Sequence, residues 1–198
     1  ARAKKRGELG VPDDALMILA AGRFVDWKGF KYAIEGYCKF LRATPALAER
    51  TRLCLVGDGP EKEKYVSLAE DMGIAANVSF YGFAQDIRPW LWAADIFIQP
   101  SYEPEVFSLM LLETMAAGTP AIVTNIGGTL DIVRDNENGW LVDIRDSSAI
   151  AEKLEAALGD MESLERAAKN AASDAARFDV SGIAAETIEL YKRVSSAG

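Results

Sequence analysis

The chain has 198 residues, 49% apolar and 26% charged, with 30 acidic against 22 basic side chains, a formal charge of −8 and no histidine. That length buries roughly 70% of its unfolded surface without staples, and the acidic balance argues against a nucleic-acid binder, which presents a basic face. The missing histidine excludes histidine bases and triads and disfavours zinc, and with no apolar run near ~20 residues and no leader, no transmembrane segment is expected and a cytoplasmic protein is the default.

Residues 1–10 carry Arg2, Lys4, Lys5 and Arg6, a basic patch that reads as a frayed terminus or a helix end. An apolar strand pattern over 15–22 ends on Gly22-Arg23. A helical pattern over 29–43 follows, with Lys28 just ahead of it. A cation at a helix N-terminus opposes the macrodipole. Arg23 and Lys28 beside one helix start make more sense with an anion between them. Phosphate fits, with arginine as a fork and lysine as a point charge; the bland alternative is two solvated surface cations. Strand 52–57 runs into Gly57-Asp58-Gly59-Pro60, a tight turn by composition. Cys38 in the helix and Cys54 in the strand read as buried free thiols. Helix 61–72, strand 78–82 with Gly82-Phe83 at its end, helix 86–94 and strand 96–100 continue the alternation.

The next helical pattern, 107–117, contains Glu113, whose i±3 and i±4 neighbours are Leu109, Met110, Ala116 and Ala117. None can pair with it. A helix apolar on nearly every side is normally buried, and a buried carboxylate needs a partner. That partner is an arginine such as Arg23 or Arg88, or a ligand; the vicinal hydroxyls of a ribose suit a carboxylate acceptor. The first amides of this helix, at Phe107, Ser108 and Leu109, have no intrahelical partner and can receive a phosphate. Glu105 stands eight positions before Glu113, about 12 Å along a continuous helix. That separation suits two contacts on one elongated ligand. Its plainer reading is a loop carboxylate beside Pro104.

Strand 120–124 exits into Asn125-Ile126-Gly127-Gly128 and a helix over 128–135. Strand 140–142, helix 147–158 and two tail helices, 161–178 and 180–195, complete the pattern, with an alanine-rich stretch over 164–176 suited to covering a sheet. Strands apolar on both faces imply a buried parallel sheet. The βα alternation predicts an α/β fold: a Rossmann-like, doubly wound parallel sheet of about six strands, with helices on both faces and C-terminal covering helices. Ligands of such sheets sit at the carboxyl ends of the strands.

These pieces together resemble the group 1 retaining glycosyltransferases. The carriers are Gly22-Arg23-Phe24 with Lys28-Gly29, then Val56 through Pro60, Phe80-Tyr81-Gly82, Ala94 through Ser101, and above all Glu105 through Gly118 with Thr119-Pro120. The last segment resembles that family's E-x7-E motif, and Asn125 through Gly128 continues the match, so the resemblance covers residues 15–158. It implies the donor half of a GT-B enzyme, which binds a nucleotide-diphosphate sugar. Arg23 and Lys28 would hold the diphosphate, Glu113 the ribose, and Glu105 the region of the transferred sugar. Amides near Phe107, Ser108 and Leu109 would complete the cradle, and Gly82 with Phe83 would hold the base. Departures are Val106 and Ser108 where the family often has glycine, and Asp131 where it commonly has glutamate.

The resemblance further implies one donor-binding domain over 1–198 whose start, 1–12, is linker-like. The N-terminal acceptor domain would lie outside this chain, and any peripheral membrane contact would come through it. The last helix, 180–195, would pack back on that domain. No metal or other cofactor is expected, since Arg23, Lys28 and the helix start can stabilise a leaving diphosphate. Rival readings are a binding-only or regulatory nucleotide-sugar domain, and a glycoside hydrolase pairing Glu105 with Glu113. A dinucleotide oxidoreductase is disfavoured because no G-x-G-x-x-G follows a strand.

Overall fold

The computed structural model describes residues 1–12, 14–103 and 107–195. The elements alternate as the apolar pattern predicts. Helix α1 (Arg2–Glu8) precedes β1 (Leu16–Ala21). A 3-10 turn, Asp26–Lys28, leads into α2 (Phe30–Ala43) and the short α3 (Pro45–Ala48). Then follow β2 (Thr51–Val56), α4 (Lys62–Asp71), β3 (Val78–Tyr81), α5 (Arg88–Ala93), β4 (Ile96–Gln99) and α6 (Leu109–Ala116). The chain ends through β5 (Ala121–Thr124), α7 (Thr129–Ile132), β6 (Gly139–Val142), α8 (Ser147–Gly159), α9 (Met161–Ala175) and α10 (Val180–Ser195).

The six strands form one parallel sheet in the order β3-β2-β1-β4-β5-β6. The register of β1 on β2 runs from Leu16↔Thr51 to Ala21↔Val56. Alternate residues of β1 feed two cores. Leu16, Ile18 and Ala20 join a cluster with α2, α4 and α8, while Met17 and Leu19 join one with α5, α6 and α9. That is why the strand reads as a continuous apolar run. On one face α2 and α8 approach closely: a Cβ on Gly36 would lie 2.7 Å from an Ile150 methyl. The buried residues of α9 divide between the two cores, Leu164 and Ala167 joining the α2–α8 cluster and Ala171 and Ala175 the other, so the alanine-rich stretch covers the sheet as its composition suggests. The buried free thiols are also as expected.

Three expectations are resolved. The basic start takes the second of its two readings: it is helical rather than frayed, and docked, with Arg6 only 2% exposed. The Arg6 guanidinium donates to Ala93 O, Pro12 O, Ala15 O and Asp95, satisfying carbonyls at the helix and loop ends it meets. Helix α7 spans only Thr129–Ile132, because Asn138 Oδ1 takes the Arg134 amide and draws the chain into a turn. Helix α6 begins at Leu109 rather than Phe107. Among the described residues, no helix is long and apolar enough to cross a membrane.

Candidate functional site

Strand order reverses between β1 and β4, so the loops leaving those strands part and open a crevice at the carboxyl edge. A cleft of about 310 Å³ opens there, lined by Ala21, Gly22, Arg23, Val56, Gly57, Asp58, Phe83, Ala84, Ile87 and Met110. A smaller cavity of about 130 Å³, reached by Lys28, Gln99 and Ser101, shares Ala21, Gly22, Arg23 and Met110 with it. The two spaces therefore adjoin.

Glycines make this edge possible. Gly57, at φ 148°, lies where a Cβ would fall 1.9 Å from Gly22 O, so the exits of β1 and β2 touch backbone to backbone. The Gly57-Asp58-Gly59-Pro60 segment is the tight turn the composition predicts, with Phe24 N donating to Asp58 O at 2.8 Å.

Arg23 and Lys28 border the same cavity. Arg23 is exposed, and Lys28, half-buried, holds its ammonium 4.6 Å from the Trp27 ring centroid, a cation–π contact that fixes its direction. Gly29 follows at φ 70° and starts α2. Gly82 and Phe83 leave β3 exposed; Phe83 is 81% exposed and overhangs the larger cleft with Ala84 and Ile87.

Helix α6 enters the same edge. Ser108 is its N-cap, at φ −97° and ψ 100°. That conformation suits any residue, so a serine where glycine is common brings no backbone strain. Its hydroxyl oxygen accepts from Leu111 N at 3.3 Å and donates to Gln99 Oε1 at 2.9 Å. The cap thus uses up one helix amide and leaves those of Leu109 and Met110 as the donors of the helix start. Phe107 lies 5.8 Å from the Phe178 ring, centroid to centroid, and does not line the cleft.

The expectation of a buried Glu113 is overturned. Only Leu111, Thr114 and Met115 of α6 are buried; Leu109, Glu113 and Ala116 form an exposed face. The helix is shorter than its apolar run and is covered on one side, so its carboxylate keeps its hydration. It lines a groove with Ala172, Phe178 and Asp179, one turn beyond Met110 of the cleft. Arg88, considered as a partner, instead makes a two-bond pair with Asp86 at 2.8 Å. Among the described residues Glu113 has no ion pair. Asp131, the other departure, is exposed on α7. Glu105, with Pro104 and Val106, lies outside the described residues.

Sequence reasoning passed over Met110, Gln99 and a cluster around Tyr102. Met110 looked like one more core residue of an apolar helix. The Tyr102 hydroxyl donates to Asp26, which pushes the phenol above its ordinary range. The Arg145 guanidinium lies 4.3 Å from the Tyr102 ring centroid. Among the described residues no cluster of carboxylates and thiols could hold a metal ion.

This arrangement can take a ligand with an apolar or aromatic end and an anionic middle. A family model described as "Glycosyl transferases group 1" matches residues 1–174. The lipopolysaccharide core biosynthesis glycosyltransferase LpsE of Rhizobium meliloti (strain 1021) is 37% identical over 156 residues, 78% of this chain and 43% of that protein. The crystal structure of Anabaena Alr3699/HepE in complex with UDP matches with a TM-score of 0.87 at 26% identity, covering 96% of this chain and 52% of that one. The C-terminal domain of the glycosyl transferase group 1 family protein LpcC of Francisella tularensis matches with a TM-score of 0.80 at 26% identity, covering 91% of this chain and 94% of that domain. The chain spans about half the length of the curated relatives it matches.

Proposed function

We propose that this chain, which belongs to the group 1 glycosyltransferase family, is the donor-binding half of a retaining enzyme that transfers a sugar from a nucleotide diphosphate to an acceptor hydroxyl. The observation that carries the reading is the adjacency of two unlike spaces that share a wall: an apolar cleft lined by Phe83 and Ile87, and a cavity bordered by Arg23 and Lys28. A base fits the first and a diphosphate the second. The likeness to a protein crystallised with UDP supports a nucleotide diphosphate as the ligand. The ribose lies at Met110, with Glu113 reaching back to its hydroxyls. The Leu109 and Met110 amides add donors at the helix start. Glu105 belongs at the transferred sugar.

As the glycosidic bond breaks, negative charge grows on the departing diphosphate. Arg23, Lys28 and the α6 N-terminus face that charge and stabilise it electrostatically, which is why the reading needs no metal. Residues 1–198 form one donor-binding domain in this reading, with α1 the docked end of an interdomain linker. Half-length coverage of the relatives supports an acceptor domain beyond this chain, and any peripheral membrane contact belongs to that part. Alone, the chain binds donor and transfers nothing. Two buried thiols, Cys38 and Cys54, fit a reducing, cytoplasmic setting.

Thermal unfolding against UDP, GDP, ADP and their hexose conjugates tests this. One nucleotide at 100 times its dissociation constant should add about 2.7 kcal/mol of stability, and Arg23→Ala or Lys28→Ala should remove most of that gain. A chain that no nucleotide stabilises, or that cleaves simple glycosides without nucleotide, would overturn the assignment.

A further inference from the structure

Beside the cleft, the loop leaving β4 is stitched to the turn that carries Lys28. The Tyr102 amide donates to Trp27 O at 3.0 Å, and the Tyr102 hydroxyl donates to Asp26 Oδ2. Both acceptors belong to the Asp26–Lys28 turn. One residue further, Gly29 lies so close to the same loop that a Cβ would fall 2.0 Å from Pro100 O. Three contacts thus fix a three-residue turn whose last member borders the cavity.

The Tyr102 ring is itself held. Tyr32 meets it edge-on at 6.1 Å, and the Arg145 guanidinium lies against it at 4.3 Å. Arg145 does so from φ 62°, a left-handed conformation that is unfavourable for a residue with a side chain and that persists where its surroundings over-determine it. The turn also contains a hazard. Asp26 is two residues from Lys28, and a carboxylate beside a diphosphate repels it. Held by the Tyr102 hydroxyl, Asp26 instead borders a groove with Lys31, Lys64 and Asp71 and does not line the cleft.

We propose that Tyr102 is a positioning residue of the donor site: it locks the Asp26–Lys28 turn so that Lys28 faces the diphosphate and Asp26 is held away from it. This rests on the nucleotide-sugar reading above. Titration calorimetry on the 198-residue chain tests it, with whichever of UDP, GDP and ADP binds most tightly and with its parent nucleoside. Tyr102→Phe keeps the ring and removes the hydroxyl. It should weaken the diphosphate about tenfold, the worth of one hydrogen bond to a charged group, and leave the nucleoside unchanged. Because Tyr102 acts in part through Lys28, adding Tyr102→Phe to Lys28→Ala should cost less affinity than Tyr102→Phe costs in the parent chain. Asp26→Asn, which keeps an acceptor for the hydroxyl, should bind within twofold of the parent chain. Equal losses for nucleoside and diphosphate, additive losses in the double variant, or a loss in Asp26→Asn would overturn the proposal and leave a general structural role. A parent chain that binds a nucleoside diphosphate while Tyr102→Phe binds it equally overturns this inference alone; one that binds none overturns the donor reading as well.

Discussion

Glu113 is exposed to water, so its removal should be cheap for the fold and costly for a ligand. Its face of α6 is exposed and it has no ion pair among the described residues. Glu113→Ala should therefore change unfolding free energy by less than about 0.5 kcal/mol, as surface substitutions do. If it accepts from ribose hydroxyls, the same change should weaken a nucleoside diphosphate several-fold and leave inorganic pyrophosphate unaffected. Chemical denaturation and calorimetry read the two effects separately; equal losses for both ligands would remove the ribose role. Sequence singled out this residue for a reason that does not hold. Periodicity shows that a helix is apolar all round, but not which side the rest of the fold will cover. Arg23 and Lys28 were legible because they flank one strand exit and one helix start, both local signals. The Tyr102–Asp26 bond was not, since its partners are 76 positions apart and only the sheet order brings β4's exit beside β1's.

Short helices at the rim matter here more than their length suggests, and α1 is the clearest case. Its sequence reads as a frayed terminus or a helix end and gives no sign of docking, yet Arg6 is buried among three carbonyls and Asp95. Asp95 in turn accepts from Met17 N at 2.7 Å and from Arg2 at 2.6 Å. The helix is thereby tied to the starts of both central strands, β1 and β4. Arg6→Met keeps much of the apolar stem and removes the charge. It should cost about 3 kcal/mol, because the loss leaves a partly buried carboxylate and several carbonyls short of donors. Urea denaturation measures this; a loss below about 1 kcal/mol would mean that α1 contributes little. Strands, by contrast, were readable almost to the residue. Being buried on both faces makes a strand a contiguous apolar run, whereas a buried arginine looks like any other until its acceptors are known.

The molecule's two ends differ in kind. Residues 2–8 enter the cation–carboxylate network just described, whereas α10, over Val180–Ser195, buries none of its side chains. Val180, Ile183, Tyr191 and Val194 fall on one face of the helix, Ile183 and Tyr191 about two turns apart, and are all exposed. A stripe of that kind on a monomer marks a contact surface, and the chain covers only about half of the relatives it matches. Stability within these 198 residues therefore rests on the two cores flanking the sheet, which end at Phe178. Cutting the chain after Asp179 leaves those cores intact. The truncated protein should unfold within about 0.5 kcal/mol of the parent, since no buried side chain is lost, and it should bind the same nucleotide with the same affinity. It should also be less prone to self-association at high concentration, which light scattering would read. A loss of more than about 2 kcal/mol would show that α10 is part of the core in solution. Unchanged stability with unchanged association would show instead that its apolar stripe attracts nothing. If the first outcome holds, the donor half folds and binds without its last helix, and the exposed stripe is explained by the acceptor domain that the proposed enzyme requires.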